Sequence, residues 1–479
     1  MSSERSAIIL AAGLGTRMKS SRPKVLHELL GRPLLGHVLK ATKAIHSDRR
    51  VVVVGAAADQ VTAYLEEHAP DIETVNQAEQ LGTGNAVRIA MEALPDLTGT
   101  VVVSAGDVPL LRRETLERLV EVHEKDGNAA TVLTAEVDDP TGLGRIVRDE
   151  AGNVLRNVEH RDADEAELAI REINSSIYAF DAEVLREQLA KLNTANDQGE
   201  EYLTDVLELA REAGHTIGAF VVGDPTEVLG CNDRAQLAGL RRILRDRVNT
   251  ELMKSGVTIE DPETTWIDAT AKVAPDVLIR PGCQLKGATA VDTGAEIGPD
   301  STLNDTIVGQ GARVVRSHTD QATVGEGASV GPFSYLRPGA KLGEGSKVGA
   351  YVEVKKSELG PGAKVPHLSY VGDATIGAKA NVSAGVIIAN YDGVAKHHTT
   401  IGEGSFVGSD SVLIAPVNVG DGTYVAAGSA ISADVAPGEL AVARGRQANK
   451  EGWVAKKRPG TVTDEAAKRA IADSEETGE

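Results

Sequence analysis

Aliphatic residues recur at every sixth position in two unbroken runs: Val324, Val330, Leu336, Leu342, Val348 and Val354, then Ile401, Val407, Leu413, Val419, Val425 and Ile431. A period of six fits neither a helix nor an ordinary strand. It marks a parallel β-helix, in which each hexapeptide forms one flat face and three faces close a coil. The aliphatic side chain points into a narrow prism, and the glycine that often follows it, as in Val324-Gly325, Leu342-Gly343 and Ile401-Gly402, suits a tight corner. Coils of this kind are known for left-handed winding, an exception to the usual crossover rule. The interval from Ile388 to Ile401 is thirteen positions instead of six, which leaves room for one inserted loop, Ala389 to Thr400, carrying Asn390-Tyr391-Asp392-Gly393. Composition agrees: 30 of the 50 glycines fall after residue 258, and the chain has only 4 Phe, 2 Trp and 8 Tyr.

The first half has a different grammar. Ala7 to Leu10, Val51 to Val54, Val101 to Val103 and Val132 to Val137 read as buried strands separated by amphipathic stretches. That order predicts a Rossmann-like α/β fold with a mostly parallel sheet. Ligands then sit at the carboxyl ends of strands, beyond Leu10 and Val103. Asn232 to Ser255, with Leu237, Leu240, Ile243, Leu244 and Val248 at helical spacing, reads as one long helix joining the halves. The domain expectation is 1–238, a linker helix at 239–258, a repeat domain at 259–462, and a disordered tail at 463–479, where charged and polar residues show no apolar face.

The formal charge is −20, which repels polyanions and argues against nucleic acid as a partner. No apolar run approaches the roughly 18 residues of a membrane span, so the expectation is no membrane association and a cytoplasmic location. Cys231 and Cys283 show no CxxC spacing and read as reduced thiols, Cys283 as packing.

After the first strand comes Leu10-Ala11-Ala12-Gly13-Leu14-Gly15-Thr16-Arg17-Met18, then Pro23-Lys24. Glycines allow close approach of backbone to phosphate, and Arg17 and Lys24 supply charge for a triphosphate. This is not a Walker loop. With its Thr-Arg-Met and Pro-Lys it resembles the signature of the nucleoside-diphosphate-sugar pyrophosphorylases. That resemblance implies nucleotide contacts at Leu10, Ala11, Ala12, Gly13, Arg17 and Lys24. It also implies base recognition by Gln77, Gly82 and Thr83 in Asn76-Gln77-Ala78-Glu79-Gln80-Leu81-Gly82-Thr83-Gly84, and sugar contacts at Gly144, Glu159 and Asn174. Asp107 in Gly106-Asp107-Val108-Pro109 and Asn232 in Gly230-Cys231-Asn232-Asp233 are the implied Mg2+ ligands, Asn232 also meeting the UDP-sugar. Ala105 departs from members that place a Tyr before Gly-Asp.

Pairing this half with hexapeptide repeats narrows the resemblance. Over nearly its whole length the chain is similar to the bacterial bifunctional N-acetylglucosamine-1-phosphate uridyltransferases/glucosamine-1-phosphate acetyltransferases. The supporting motifs are Tyr335-Leu336-Arg337-Pro338-Gly339, Val352-Glu353-Val354-Lys355-Lys356, Val365-Pro366-His367-Leu368-Ser369-Tyr370 and Asn390-Tyr391-Asp392-Gly393. The resemblance implies His367 as general base, Arg337, Lys355, Tyr370 and Asn381 around the sugar phosphate, and Ala384, Asn390, Tyr391, Ser409, Ala427 and Arg444 against acetyl-CoA. An imidazole suits the role, because the sugar amine must lose a proton to attack a thioester. Ser383-Ala384-Gly385 departs from the common Gly-Ala-Gly. The implied substrates are UTP, glucosamine-1-phosphate, N-acetylglucosamine-1-phosphate and acetyl-CoA, and the implied assembly is a homotrimer.

Two other readings compete. A nucleotidyltransferase with a β-helix scaffold would not need His367, Lys355 and Asn390-Tyr391, and a non-catalytic regulatory subunit would not need Lys24 and Asp107.

Overall fold

The computed structural model describes residues 4–194, 196 and 199–477. The chain divides into two compact units, Met1–Gly339 and Ala340–Glu479.

In the first unit the strands Ile217–Val221, Ala130–Glu136, Glu172–Asp181, Thr100–Ala105, Arg5–Leu10, Arg49–Val54 and Glu73–Asn76 lie side by side in that order. Arg5–Leu10 pairs in parallel with Thr100–Ala105 and with Arg49–Val54. Glu172–Asp181 is the exception, antiparallel to both neighbours, with a register shift between Asn174 and Tyr178. The central strands are near-continuous aliphatic runs because helices cover both faces. Ile8, Val51, Val53, Val101 and Val103 belong to one core, Ile9, Val52, Val54 and Val102 to the other.

The expected long helix is Arg234–Lys254, started by Asp233, whose side chain accepts from the Gln236 amide. Its Leu240 and Leu244 are buried with Met18, Leu29, Leu34 and Leu110. Asn249, fully buried, donates to the carbonyls of Pro262 and Thr265 at 2.9 Å each, and the Arg245 guanidinium lies 4.8 Å from the centre of the Trp266 ring. These contacts fasten the first coils to the helix, so the compact unit runs on to residue 339, past the change of grammar near 258.

Short parallel strands on three sheets then form the left-handed parallel β-helix expected of hexapeptide repeats. In the first unit Ile279, Ile297, Val314 and Val330 stack in register, as do Val291, Val308 and Val324. In the second, Leu342, Leu359, Ile376, Ile401 and Val419 stack, and so do Ile388, Leu413 and Ile431. The coils begin near Thr258, well before the first regular run of six. Five-residue faces such as Leu303 to Val308 and Val314 to Thr319 break the period there.

Glycine has two separate roles. Gly343 has an ordinary φ, but a Cβ there would lie 2.7 Å from the Leu359 carbonyl oxygen of the next coil; Gly345, at φ +61°, takes the left-handed corner with open space around it. The glycine after the aliphatic residue is therefore required at Gly343 by close approach of coils, and the corner conformation falls two residues later.

Val462–Thr477 is a helix, where the sequence pattern predicts a disordered tail. Thr461 accepts from the Asp464 amide through its hydroxyl, Asp464 pairs with Lys468 one turn on at 2.9 Å, and Ala466, Ala467 and Ala470 favour helix without an apolar face. Gly478 and Glu479 lie outside the described residues.

Candidate active sites

The first site forms where strands Arg5–Leu10 and Thr100–Ala105 end. A cavity of about 310 Å³ is lined by Leu10, Ala11, Ala12, Gly13, Lys24, Gln77, Gly82, Thr83 and Asp107, which gathers nine of the expected residues. The sequence reading missed Gln80, Ser176 and Glu200 in its wall, and it noted Ala105 only as a departure. Gln80 holds the loop by donating to the Ala12 carbonyl at 2.8 Å. Ser176 reaches the cavity through the irregularity in strand Glu172–Asp181, where its φ is +60°, a feature that no periodicity announces.

Gly15 is needed here on two grounds: its φ is +60°, and a Cβ would lie 2.6 Å from Lys24 Cβ. The loop thus folds tightly over Lys24. Lys24 Nζ lies 2.5 Å from Asp107 Oδ2 and 3.5 Å from Asn232 Oδ1, and Arg17 donates to the same Asn232 oxygen at 2.9 Å. The Cys231 amide donates to the Asp107 carbonyl at 3.1 Å, which ties the two segments together. An acidic and an amide oxygen thus converge on one cationic centre, and this hard oxygen set fits Mg2+.

Gln77 is buried, donating to the Gly82 carbonyl at 3.1 Å and to Asn85 Oδ1 at 2.8 Å. A Cβ on Gly82, at φ +109°, would meet the Glu201 carbonyl oxygen at 2.4 Å, so this position accepts only glycine. Gly144, Glu159 and Asn174 form a second group beside Asn157 and Tyr178. The Asn174 amide donates to the Gly144 carbonyl at 3.0 Å, Tyr178 Oη donates to Asn174 Oδ1 at 2.9 Å, and Asn157 donates to Glu159 at 2.8 Å. Nearby Asp205 is pushed up to about 6 by burial and by Glu208, Glu159 and Asp162. Burial likewise pushes the Cys231 and Cys283 thiols up to about 11, so both stay protonated and unreactive near neutrality. A larger cavity of about 870 Å³, between helix Leu34–Thr42, the start of Arg113–Asp126 and the long helix, contains none of the expected residues.

The second unit holds the other set, except Arg337, which follows strand Tyr335–Leu336 in the first. Lys355 and Asn390 are buried, and both reach Asp373, Lys355 Nζ at 3.2 Å and Asn390 Nδ2 at 2.5 Å. Asn390 Nδ2 also lies 3.4 Å from Tyr370 Oη. Burial works to raise the Asp373 carboxyl, but hydrogen bonds from Asn390 and Lys355, with the charges of Lys355 and Lys396, hold it below the usual carboxylate range. The Asp373 carboxylate, through its hydrogen bond and its charge, favours the charged form of Lys355. Asn381 Nδ2 is 3.5 Å from Ser383 Oγ.

His367 ends strand Lys364–His367, and its imidazole is exposed and has no hydrogen-bond partner among the described residues. Its backbone carbonyl accepts from Gly385, that of Ala384 from Asp410, and that of Ser409 from Gly428. His367, Ala384, Ser409 and Ala427 therefore mark one corner of successive coils, with exposed Arg444 beyond. In the inserted loop Asp392 accepts from the amides of Val394 and Ala395 and pairs with His397 at 2.7 Å, which well explains its low pKa. Asp392 shapes the loop, while Tyr391 stands exposed from it.

Residues 7–205 match the MobA-like NTP transferase domain, and residues 321–356 and 398–433 match the bacterial transferase hexapeptide (six repeats). The Bifunctional protein GlmU of Streptomyces avermitilis is 56% identical over 465 residues, covering 97% of this chain and 96% of that protein. The proteins of the same name from Corynebacterium aurimucosum and Thermobifida fusca are each 53% identical, over 97% and 99% of this chain and 96% and 100% of their own lengths. With both catalytic halves present in one chain and matched from end to end, the chain belongs to the bifunctional GlmU family.

Proposed function

We propose how the two activities of this enzyme are distributed over its residues. The enzyme makes UDP-N-acetylglucosamine in two steps: N-acetylation of glucosamine-1-phosphate by acetyl-CoA, then uridyl transfer from UTP to N-acetylglucosamine-1-phosphate with release of pyrophosphate. The observation that carries the assignment is the convergence of Lys24, Asp107, Asn232 and Arg17 at the nucleotide loop in one unit, and of Lys355, Asn390 and Tyr370 in the other.

In uridyl transfer a phosphate oxygen of the sugar phosphate attacks the α-phosphorus of UTP, and the bond to pyrophosphate breaks. The nucleophile is already ionised, so no protein base is required. Gln77, Gly82 and Thr83 hold the base, and Gly144, Glu159 and Asn174 hold the sugar. Arg17 and Lys24 neutralise the triphosphate, so positioning and electrostatics supply the rate. Mg2+, held by Asp107 and Asn232, would add further neutralisation of phosphate charge.

In acetyl transfer His367 removes a proton from the ammonium of glucosamine-1-phosphate. The free amine attacks the thioester carbonyl, the C–S bond breaks, and the CoA thiolate takes up the proton that the attacking nitrogen gives up. Lys355, Tyr370 and Asn381 hold the sugar phosphate. Asn390, Tyr391, Ala384, Ser409, Ala427 and Arg444 receive acetyl-CoA. The enzyme acts as a homotrimer in the cytoplasm.

A coupled assay with glucosamine-1-phosphate, acetyl-CoA, UTP and Mg2+, leaving out each in turn, tests the reading. UDP-N-acetylglucosamine should form only in the complete mixture, and N-acetylglucosamine-1-phosphate should replace the first two substrates. Product from glucosamine-1-phosphate without acetyl-CoA would overturn it.

A further inference from the structure

Asp373 is not among the residues that the sequence motifs single out, yet two of those residues meet on it. Its Oδ2 atom accepts from both Lys355 Nζ, at 3.2 Å, and Asn390 Nδ2, at 2.5 Å. The side chain is anchored by its own backbone. Asp373 takes the left-handed corner, at φ 51°, after strand Tyr370–Gly372; its amide donates to the Lys355 carbonyl at 3.0 Å, and its carbonyl accepts from the Thr399 amide at 3.2 Å. One bond leads to the strand of the phosphate-binding lysine, and the other to the chain leaving the inserted loop. The preceding Gly372 leaves room for the convergence, since a Cβ there would lie 2.4 Å from Tyr370 Oη and 2.7 Å from Asn390 Nδ2.

We propose that Asp373 is a positioning residue for acetyl transfer, one carboxylate oxygen fixing both the lysine that receives the sugar phosphate and the amide face that Asn390 turns toward the acyl donor. This rests on the assignment of Lys355 and Asn390 given above. An ionised carboxylate can only accept hydrogen bonds, so Asn390 must present its NH2 to Asp373 and leave its amide oxygen for a ligand. Lysine is a point charge on a flexible four-carbon stem, and a charge-assisted bond to a corner-anchored carboxylate removes that freedom.

Electrostatics alone predicts the opposite consequence. Asp373 is an anion in a site that receives a phosphate, and if it were only a counter-charge, neutralising it would tighten the sugar phosphate. If it positions Lys355, neutralising it loosens the sugar phosphate. The sign of the change therefore decides between the two roles.

The test uses the full-length chain with Asp373→Asn, which is nearly isosteric, and Asp373→Ala. Calorimetric titration with glucosamine-1-phosphate should show affinity reduced about 10-fold or more in both, and the KM for acetyl-CoA should rise with it. Uridyl transfer from N-acetylglucosamine-1-phosphate should stay at the wild-type rate and serves as the control for folding. In a Lys355→Ala background, Asp373→Asn should have little further effect on sugar-phosphate affinity, because it acts through Lys355. Unchanged or tighter binding in Asp373→Asn, or an undiminished effect in the Lys355→Ala background, would overturn the role. Absence of acetyl transfer by the wild-type chain would instead overturn the underlying assignment of the site, and Asp373's role with it.

Discussion

The Lys24 ammonium stands 2.5 Å from Asp107 Oδ2, so the cation assigned to the nucleotide's phosphates is held by the carboxylate assigned to the metal. Both side chains are mostly shielded from solvent, 18% and 15% exposed. Asp107→Ala should therefore remove a metal ligand and release Lys24 at once. Uridyl transfer is expected to fall at least about 100-fold, the scale of losing one preorganised electrostatic group. Acetyl transfer should be unchanged. Chelation of Mg2+ with EDTA should reproduce the same split in the wild type, and the two assays run on one preparation check both.

Among the described residues the His367 imidazole has no hydrogen-bond partner that would hold it in a structural role, and it stands at the corner shared with Ala384, Ser409 and Ala427. His367→Ala should lower kcat for acetyl transfer by about 100-fold to 10,000-fold, as expected for removing a general base. Uridyl transfer from N-acetylglucosamine-1-phosphate should continue normally. Equal loss of both activities in a folded variant would contradict the separation of sites.

Much of this architecture is legible in the sequence because the period of six and the Leu10 to Met18 loop each impose local rules. The stacked aliphatics of the second unit follow the period directly. The coils between Thr258 and Val324 keep no unbroken period, since a single five-residue face shifts every later position by one. Residues whose roles depend on tertiary meeting left no local signal. Ser176 enters the nucleotide cavity through a strand irregularity, and Asp373 gathers Lys355 and Asn390 from segments 18 and 17 residues away. The helix Val462–Thr477 carries no apolar stripe to announce it, because it forms by capping and alanine content.

The two kinds of glycine can be separated by substitution. At Gly343 a Cβ would press on the Leu359 carbonyl oxygen, the Gly360 carbonyl carbon and the Pro361 nitrogen, all backbone atoms of the next coil that cannot rotate away. Gly343→Ala should destabilise the second unit by about 1–3 kcal/mol, the scale of overpacking. Gly345→Ala meets nothing but keeps a left-handed φ, and should cost about 1 kcal/mol. Urea titrations followed by activity should show acetyl transfer lost at lower urea than in the wild type, more so for Gly343→Ala, with the uridyl midpoint unmoved.

Asp205 offers a test by pH. It opens the helix Asp205–Glu212, where its carboxyl, half-buried and facing Glu208, Glu159 and Asp162, is pushed up to about 6 from an ordinary 3.8. The native state therefore holds this proton more tightly than the unfolded chain does. Between those two values the native state binds more protons, so stability falls as pH rises, and above pH 6 the whole penalty is present. The full shift corresponds to about 3 kcal/mol, which partial solvent access reduces to about 1–2 kcal/mol. Asp205→Asn, which cannot ionise, should stabilise the first unit by that amount at pH 8 and by much less at pH 4.5. Urea denaturation of both proteins at the two pH values, followed through uridyl-transfer activity, measures the difference, and a gain independent of pH would show that the carboxylate is not under strain.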